Sequence, residues 1–360
     1  MTAAAAGEPK VVTPPPPAPP LPHLLRWTAP PLAALFALGI ALRRTAYDLG
    51  LKAVRRAPLP VLSVGNLTVG GTGKSPMAAY LAKGLLARKR KPAILMRGYG
   101  AARSEDLNDE AREMLRRVPD ANLIVNPNRY EGACEARDNG LDVALLDDGF
   151  QHWQLARDLD LVLLDATDPF GGEHLLPWGR LREPPEALAR AGVVILTRCD
   201  QVPPGRLEEL EARAQRLAPR ALICAARHRP VGLRKVYEKV EPVPPETLAG
   251  RRVLAVCGLG HPGAFYATLA ALGARIIGSV TYPDHFDYER VGIAGLEEAA
   301  AKFDPEWIVV SAKDAVKLEG LHGAKLSRPL WALEIRTQIV SREEELWNRI
   351  EHILARTAAP

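Results

Sequence analysis

Cysteine is scarce in this chain of 360 residues: Cys134, Cys199, Cys224 and Cys257 lie at least 25 positions apart, with no CxxC pair. That spacing excludes a disulfide framework and a structural zinc site, and it implies reduced thiols in a cytoplasmic body. Charge of one sign is also missing, since 47 Lys and Arg stand against 42 Asp and Glu for a net of +5. So weak a surplus over this length leaves no electrostatic footprint for nucleic acid, and no nucleic-acid partner is expected. Long apolar runs are absent beyond one near the N-terminus, which excludes a multi-span membrane protein. What remains, 47% hydrophobic and 25% charged residues, is the composition of a folded protein of about two domains.

Residues 1–22 are rich in Ala and Pro, with Pro14 to Pro17, Pro19, Pro20 and Pro22, and are predicted to form a disordered tail. Glu8 and the prolines break the order of a secretory signal. Residues 23–57 are predicted to be a membrane-associated helical segment. The 16 residues from Trp27 to Leu42 carry no charge and end at Arg43 and Arg44. A perpendicular span needs ~20 apolar residues, so both lying in the interface and crossing stay open. The bland alternative is a buried helix that caps the first domain. Arg26, Arg43, Arg44, Lys52, Arg55 and Arg56 face a single acid, Asp48. An apolar helix followed by a basic amphipathic one is suited to an anionic leaflet.

From residue 58 to 226, short β-type runs (PVLSV, PAILM, NLIV, DVALLD, DLVLLD, VVILT) alternate with helical stretches such as Ser75 to Arg88. This is the pattern of an α/β fold with a parallel sheet covered on both faces. Residues 227–250, with four prolines, are expected to be a linker. Residues 251–360 form a second, smaller α/β series ending in a helix, with Ser341 as its N-cap and Glu344 closing a capping box.

Chemistry concentrates in VLSVGNLTVGGTGKSP, a strand that enters a glycine-rich turn and then a helix. Backbone amides of Thr68, Val69, Gly70, Gly71, Thr72 and Gly73 can surround phosphate oxygens, Lys74 can reach the β- and γ-phosphates, and the Ser75 hydroxyl can bind magnesium. Thr68 stands where the strict phosphate-loop pattern has glycine. In LLDDGFQH an apolar strand ends in Asp147 and Asp148, where folds of this type hold magnesium. Paired acids at a strand end can also be turn formers. Arg97, His152, Arg180 and Arg182 are candidates for phosphate or sugar contacts, with solvated surface arginines as the alternative.

GNLTVGGTGKSP, MRGYG, NDEA, DDGFQH, HLLPWGRLREP, CGLGHPGAFYATLAALG, YPDHFDY and KDAVKL occur in an order that resembles the tetraacyldisaccharide 4′-kinases of lipid A biosynthesis, from about Leu24 to the final helix. The resemblance implies a P-loop NTPase-like sheet domain with a second α/β domain. It implies ATP and Mg²⁺, and transfer to the 4′-hydroxyl of an acylated disaccharide 1-phosphate lipid to give lipid IVA, at the cytoplasmic face of the inner membrane through a peripheral or single anchor. Asp109 resembles the family's catalytic base, Glu110 a magnesium-associated carboxylate, and His285 the histidine that pairs with Asp109 from the second domain. Asn108 replaces the usual glycine before Asp109, and Phe286 stands where a second histidine is common. A lipid with four acyl chains does not leave the bilayer, so its kinase must reach the membrane surface.

A GTPase or nucleotide-driven chaperone is the competing reading, because TRCD at Thr197 to Asp200 approximates the guanine-reading Thr/Asn-Lys-x-Asp motif and Asp168 to Gly171 resembles a switch loop. A membrane scaffold without catalysis is the third.

Overall fold

The computed structural model describes residues 23–98, 109–238, 240–283, 286, 288, 292–321 and 326–357. The predicted tail, 1–22, and His285 lie outside them.

A parallel sheet buried on both faces needs strands that are apolar throughout, and the short runs supply this. The larger unit comprises His23–Val231 together with the segment from Glu334. Its strands are β1 (Val61–Asn66), β2 (Pro92–Met96), β3 (Asn122–Val125), β4 (Val143–Asp147), β5 (Leu159–Asp165), β6 (Val193–Thr197) and β7 (Leu222–Lys235). They lie in the order β3-β2-β4-β1-β5-β6-β7, and each neighbouring pair is parallel. Every residue of β1, β2, β4, β5 and β6 is buried. Helices α1 (His23–Asp48), α2 (Lys74–Ala87), α3 (Asp109–Arg117), α4 (Arg129–Asp138) and α5 (Pro204–Leu217) accompany this sheet. The chain moves from β1 outward to β2 and β3, returns to β4 beside β1, and then continues to β5 on the other side. That reversal puts the crevice for ligands at the carboxyl ends of β1 and β4.

The smaller unit, Gly232–Leu333, has its own parallel sheet in the order β11-β10-β8-β9. It is built from β8 (Arg252–Cys257), β9 (Arg275–Thr281), β10 (Trp307–Ser311) and the first part of β11 (Leu330–Ile339), with α6 (Pro262–Ala271), α7 (Gly292–Phe303) and α8 (Ala312–Glu319). Leu254, Val256, Ile308 and Val310 fill its core.

Four expectations change. The stretch 227–250 is not a simple linker, because β7 runs to Lys235, and Leu233 then pairs with Val243. The final helix α9 (Glu343–Thr357) belongs with the larger unit. Its apolar face of Leu346, Trp347, Ile350 and Leu354 joins the core under α2, and the Trp347 ring lies over Gly84, where a Cβ would stand 2.1 Å from it. Ser341 is not the N-cap, since its hydroxyl accepts the Ala225 N–H at 2.8 Å, which ties β7 to the end of β11. Near the N-terminus a single helix forms where two were expected. Gly50 (φ 71°) ends α1, and Arg55 then pairs in extended form with Leu155.

Candidate active site

The phosphate-type loop begins where β1 ends. The buried Asn66 amide donates to the Thr68 carbonyl at 2.7 Å and the Thr72 hydroxyl at 2.9 Å, which folds the chain back on itself. A second segment steadies the entry: Arg182 N–H donates to Leu67 O at 2.7 Å, Val69 N–H donates to Arg180 O at 2.8 Å, and Thr68 bridges Leu181. Thr68 and Val69 therefore lie in this braced entry, and the turn proper runs from Gly70 to Gly73. Gly73 precedes α2 with φ 91°, a left-handed backbone that favours glycine, and it has no side chain with which to cap the helix. The first-turn amides of α2 are consequently left for an anion.

Lys74 and Ser75 open α2 and turn towards the end of β4. Lys74 Nζ lies 3.3 Å from Asn66 Oδ1 and 3.8 Å from Asp148 Oδ1. Ser75 Oγ donates to Asp147 Oδ2 at 3.1 Å. The other Asp147 oxygen is buried and makes no hydrogen bond. Burial, then the neighbouring Asp148 and Glu110, push the Asp147 carboxyl up to about 6 against the pull of Lys74 and Ser75. Asp148, at φ 56°, points differently. Burial acts to raise its carboxyl, but Lys74 and Arg182 outweigh it and hold Asp148 below its ordinary range. Arg182 Nη1 donates to both Asp148 oxygens, at 2.9 and 3.1 Å.

This donor set fits a hard divalent cation. Ser75 and Asp147 offer a hydroxyl and a buried carboxylate with one unsatisfied oxygen, beside the glycine-rich loop. Among the described residues no three His, Cys, Asp or Glu are grouped to enclose a metal. An ion that draws its remaining oxygens from phosphate and water, as magnesium does, needs no such cage.

The other candidate residues divide. Asp109 and Glu110 occupy the first turn of α3, half-buried, and Glu110 is near enough to act on Asp147. Arg180 is paired with Asp168, and its carbonyl accepts the Val69 N–H that steadies the loop. His152 is half-buried. Burial, followed by Arg129, Arg157, Arg43 and Arg97, pushes its imidazole down to about 4, which leaves it neutral at pH 7 amid positive charge. Sequence reading missed Asn66, whose amide folds the loop back on itself. For Asn66 a signal existed, a polar residue closing an apolar strand directly before the glycine turn.

The family model described as tetraacyldisaccharide-1-P 4′-kinase matches residues 25–355. The chain belongs to the tetraacyldisaccharide 4′-kinase family. Two proteins named tetraacyldisaccharide 4′-kinase are similar to it. One, from Anaeromyxobacter dehalogenans (strain 2CP-C), is 43% identical over 79% of each chain. The other, from Anaeromyxobacter sp. (strain Fw109-5), is 42% identical over 89% of this chain and 90% of its own. A crystal structure titled as the "apo" form of LpxK from Aquifex aeolicus in complex with ATP matches with TM-score 0.68 and 30% identity, over 92% of this chain and 99% of that one. Membership in the tetraacyldisaccharide 4′-kinase family agrees with the parallel sheet and excludes the GTPase and scaffold readings as the chain's class.

Proposed function

We propose that this chain transfers the γ-phosphoryl group of ATP to the 4′-hydroxyl of a tetraacylated disaccharide 1-phosphate at a membrane surface. The observation that carries this reading is the meeting of Lys74, Ser75, Asp147 and Asp148 at the carboxyl ends of β1 and β4, in a chain of this family.

Phosphoryl transfer to a hydroxyl asks the protein for position and charge neutralisation. The amides of Gly70 to Gly73 and the first turn of α2 hold the phosphates, and Lys74 lies against the oxygens of the transferred group. Ser75 and Asp147, with Glu110 nearby, would hold magnesium, which when bound would supply neutralisation of phosphate charge. Asp148 keeps Lys74 and Arg182 aligned. Asp109, in the first turn of α3, accepts the proton of the sugar hydroxyl. Arg97 and His152, with the arginines around them, receive the anionic headgroup of the lipid acceptor.

Helix α1 supports a membrane-surface location. Ala29 and Ala33 are buried, whereas Leu32, Leu35, Leu38 and Leu42 are exposed, and Arg43 and Arg44 follow. Among the described residues no helix is long and apolar enough to cross a membrane. An apolar stripe flanked by arginines suits the interface of an anionic leaflet.

Incubation with γ-labelled ATP and a tetraacyldisaccharide 1-phosphate in mixed micelles tests the proposal. Label should move to the lipid, and the absence of labelled lipid over a range of acceptor chain lengths would overturn it.

A further inference from the structure

Thr197, Arg198, Cys199 and Asp200 approximate a base-reading motif in the sequence, yet in the larger unit the side chains of Thr197 and Arg198 face the phosphate loop. Arg198 follows β6 in a left-handed conformation (φ 56°), which turns its side chain back under the loop. One guanidinium nitrogen donates to Gly71 O at 2.7 Å, and the other is paired with Asp165 at the end of β5. Both side chains are more than nine-tenths buried. Asp165 is itself set by Thr167, whose N–H and hydroxyl donate to it at 3.1 and 2.6 Å. The Thr197 hydroxyl lies 3.1 Å from Thr72 O. Across the loop, the His228 ring occupies the space in which a Cβ at residue 73 would stand, 2.5 Å from Nε2.

Three consecutive loop residues are thus gripped from β6 and β7. The carbonyl and the next N–H of one peptide plane point in opposite directions. With Thr72 O drawn to Thr197, the Gly73 N–H faces away from β6, at the uncapped start of α2. With Gly71 O drawn to Arg198, the preceding peptide cannot flip its carbonyl towards the phosphates.

We propose that Arg198, anchored by Asp165, is a positioning residue that holds the phosphate loop in its anion-accepting shape instead of reading a nucleotide base. The proposal rests on the reading of residues 68–75 as a phosphate loop. The chain then recognises its nucleotide at this strand end through the polyphosphate, because the guanidinium that would lie against a base is already bound to Gly71 and Asp165.

Equilibrium binding of ATP and AMP to the full chain, with steady-state kinetics, tests it. Arg198→Ala alone strands a buried carboxylate, so the main variant is Arg198→Met combined with Asp165→Asn. It removes both charges at similar volume and should fold. ATP affinity should fall about 10- to 100-fold, the usual worth of a charge-assisted hydrogen bond that orders a binding loop. AMP, which lacks the outer phosphates, should change less than about 3-fold. The KM for ATP should rise while kcat at saturating ATP stays within about 3-fold, since bound phosphates restore the loop. Wild-type ATP affinity in the double variant, or equal losses for ATP and AMP, would overturn the proposal. Lys74→Ala separates the two levels. If it weakens ATP binding and the double variant does not, only the role of Arg198 fails. If Lys74→Ala leaves ATP binding untouched, the phosphate-loop reading fails and takes the proposal with it.

Discussion

Replacing Asp147 with Asn should make the protein more stable and less active. Burial and its acidic neighbours raise the Asp147 carboxyl from its ordinary 3.8 to about 6. The folded state therefore disfavours the charged form. Below pH 3.8 the carboxyl is protonated in both states and contributes nothing. Between pH 3.8 and about 6 the folded protein keeps a proton that the unfolded chain releases, so stability falls as pH rises. Above about 6 the penalty is complete. A decade of proton affinity is worth about 1.4 kcal/mol, and the rise covers about two decades, so the charged Asp147 costs about 3 kcal/mol at neutral pH. Asn carries no charge and can still accept the Ser75 hydroxyl. Thermal melts of Asp147→Asn in chelator should match wild type at pH 4 and exceed it by roughly 6–12 °C at pH 8, taking 2–4 °C per kcal/mol for a unit of this size. Mg·ATP at 100 times its Kd stabilises a binding-competent protein by about 2.7 kcal/mol, so it should close the gap by rescuing wild type alone. A difference in melting that is independent of pH, or a variant less stable than wild type at pH 8, would refute the reasoning.

Asp109→Ala should lower kcat by roughly 10²–10⁴, the worth of a positioned general base, with little change in ATP affinity, as measured by steady-state kinetics and nucleotide titration. Joint replacement of Asp109 and His285 should cost much less than the product of the single losses if the two act as one unit. Leu35, Leu38 and Leu42 changed together to Ser should weaken flotation with anionic vesicles and leave turnover of a water-soluble acceptor analogue unchanged; undiminished flotation would place the membrane contact elsewhere. Trp347→Ala should cost about 3–5 kcal/mol in denaturant unfolding, because it empties the space over Gly84 and removes the Nε1–H bond to the Tyr80 hydroxyl.

How far the sequence could be read follows from where each contact comes from. The strands were legible because burial on both faces demands unbroken apolar runs, as in DVALLD and VVILT. Lys74, Ser75, Asp147 and Asp148 were legible because loop and strand end are local features, each set within about a dozen residues. Arg198 and His228 were not, since their meaning depends on Gly71 and Gly73, more than a hundred positions away. The pairing of Arg180 with Asp168 was not legible either, because a loop arginine looks free until its partner is placed. The capping-box pattern at Ser341 met a competing bond from Ala225, which the local rule cannot include. The return of α9 to the larger unit depended on the pairing of Trp347 with Gly84, two residues 263 positions apart.

The central claim is that the loop ending in Lys74 and the carboxylates after β4 deliver phosphate to one hydroxyl of a lipid disaccharide. Phosphorus NMR of the lipid recovered after incubation with Mg·ATP and tetraacyldisaccharide 1-phosphate measures this most directly. Wild type should yield a second phosphate monoester, coupled to the proton at carbon 4′, and Lys74→Ala should yield almost none while melting like wild type. A new phosphate at any other position, or an equal yield from Lys74→Ala, would contradict the account.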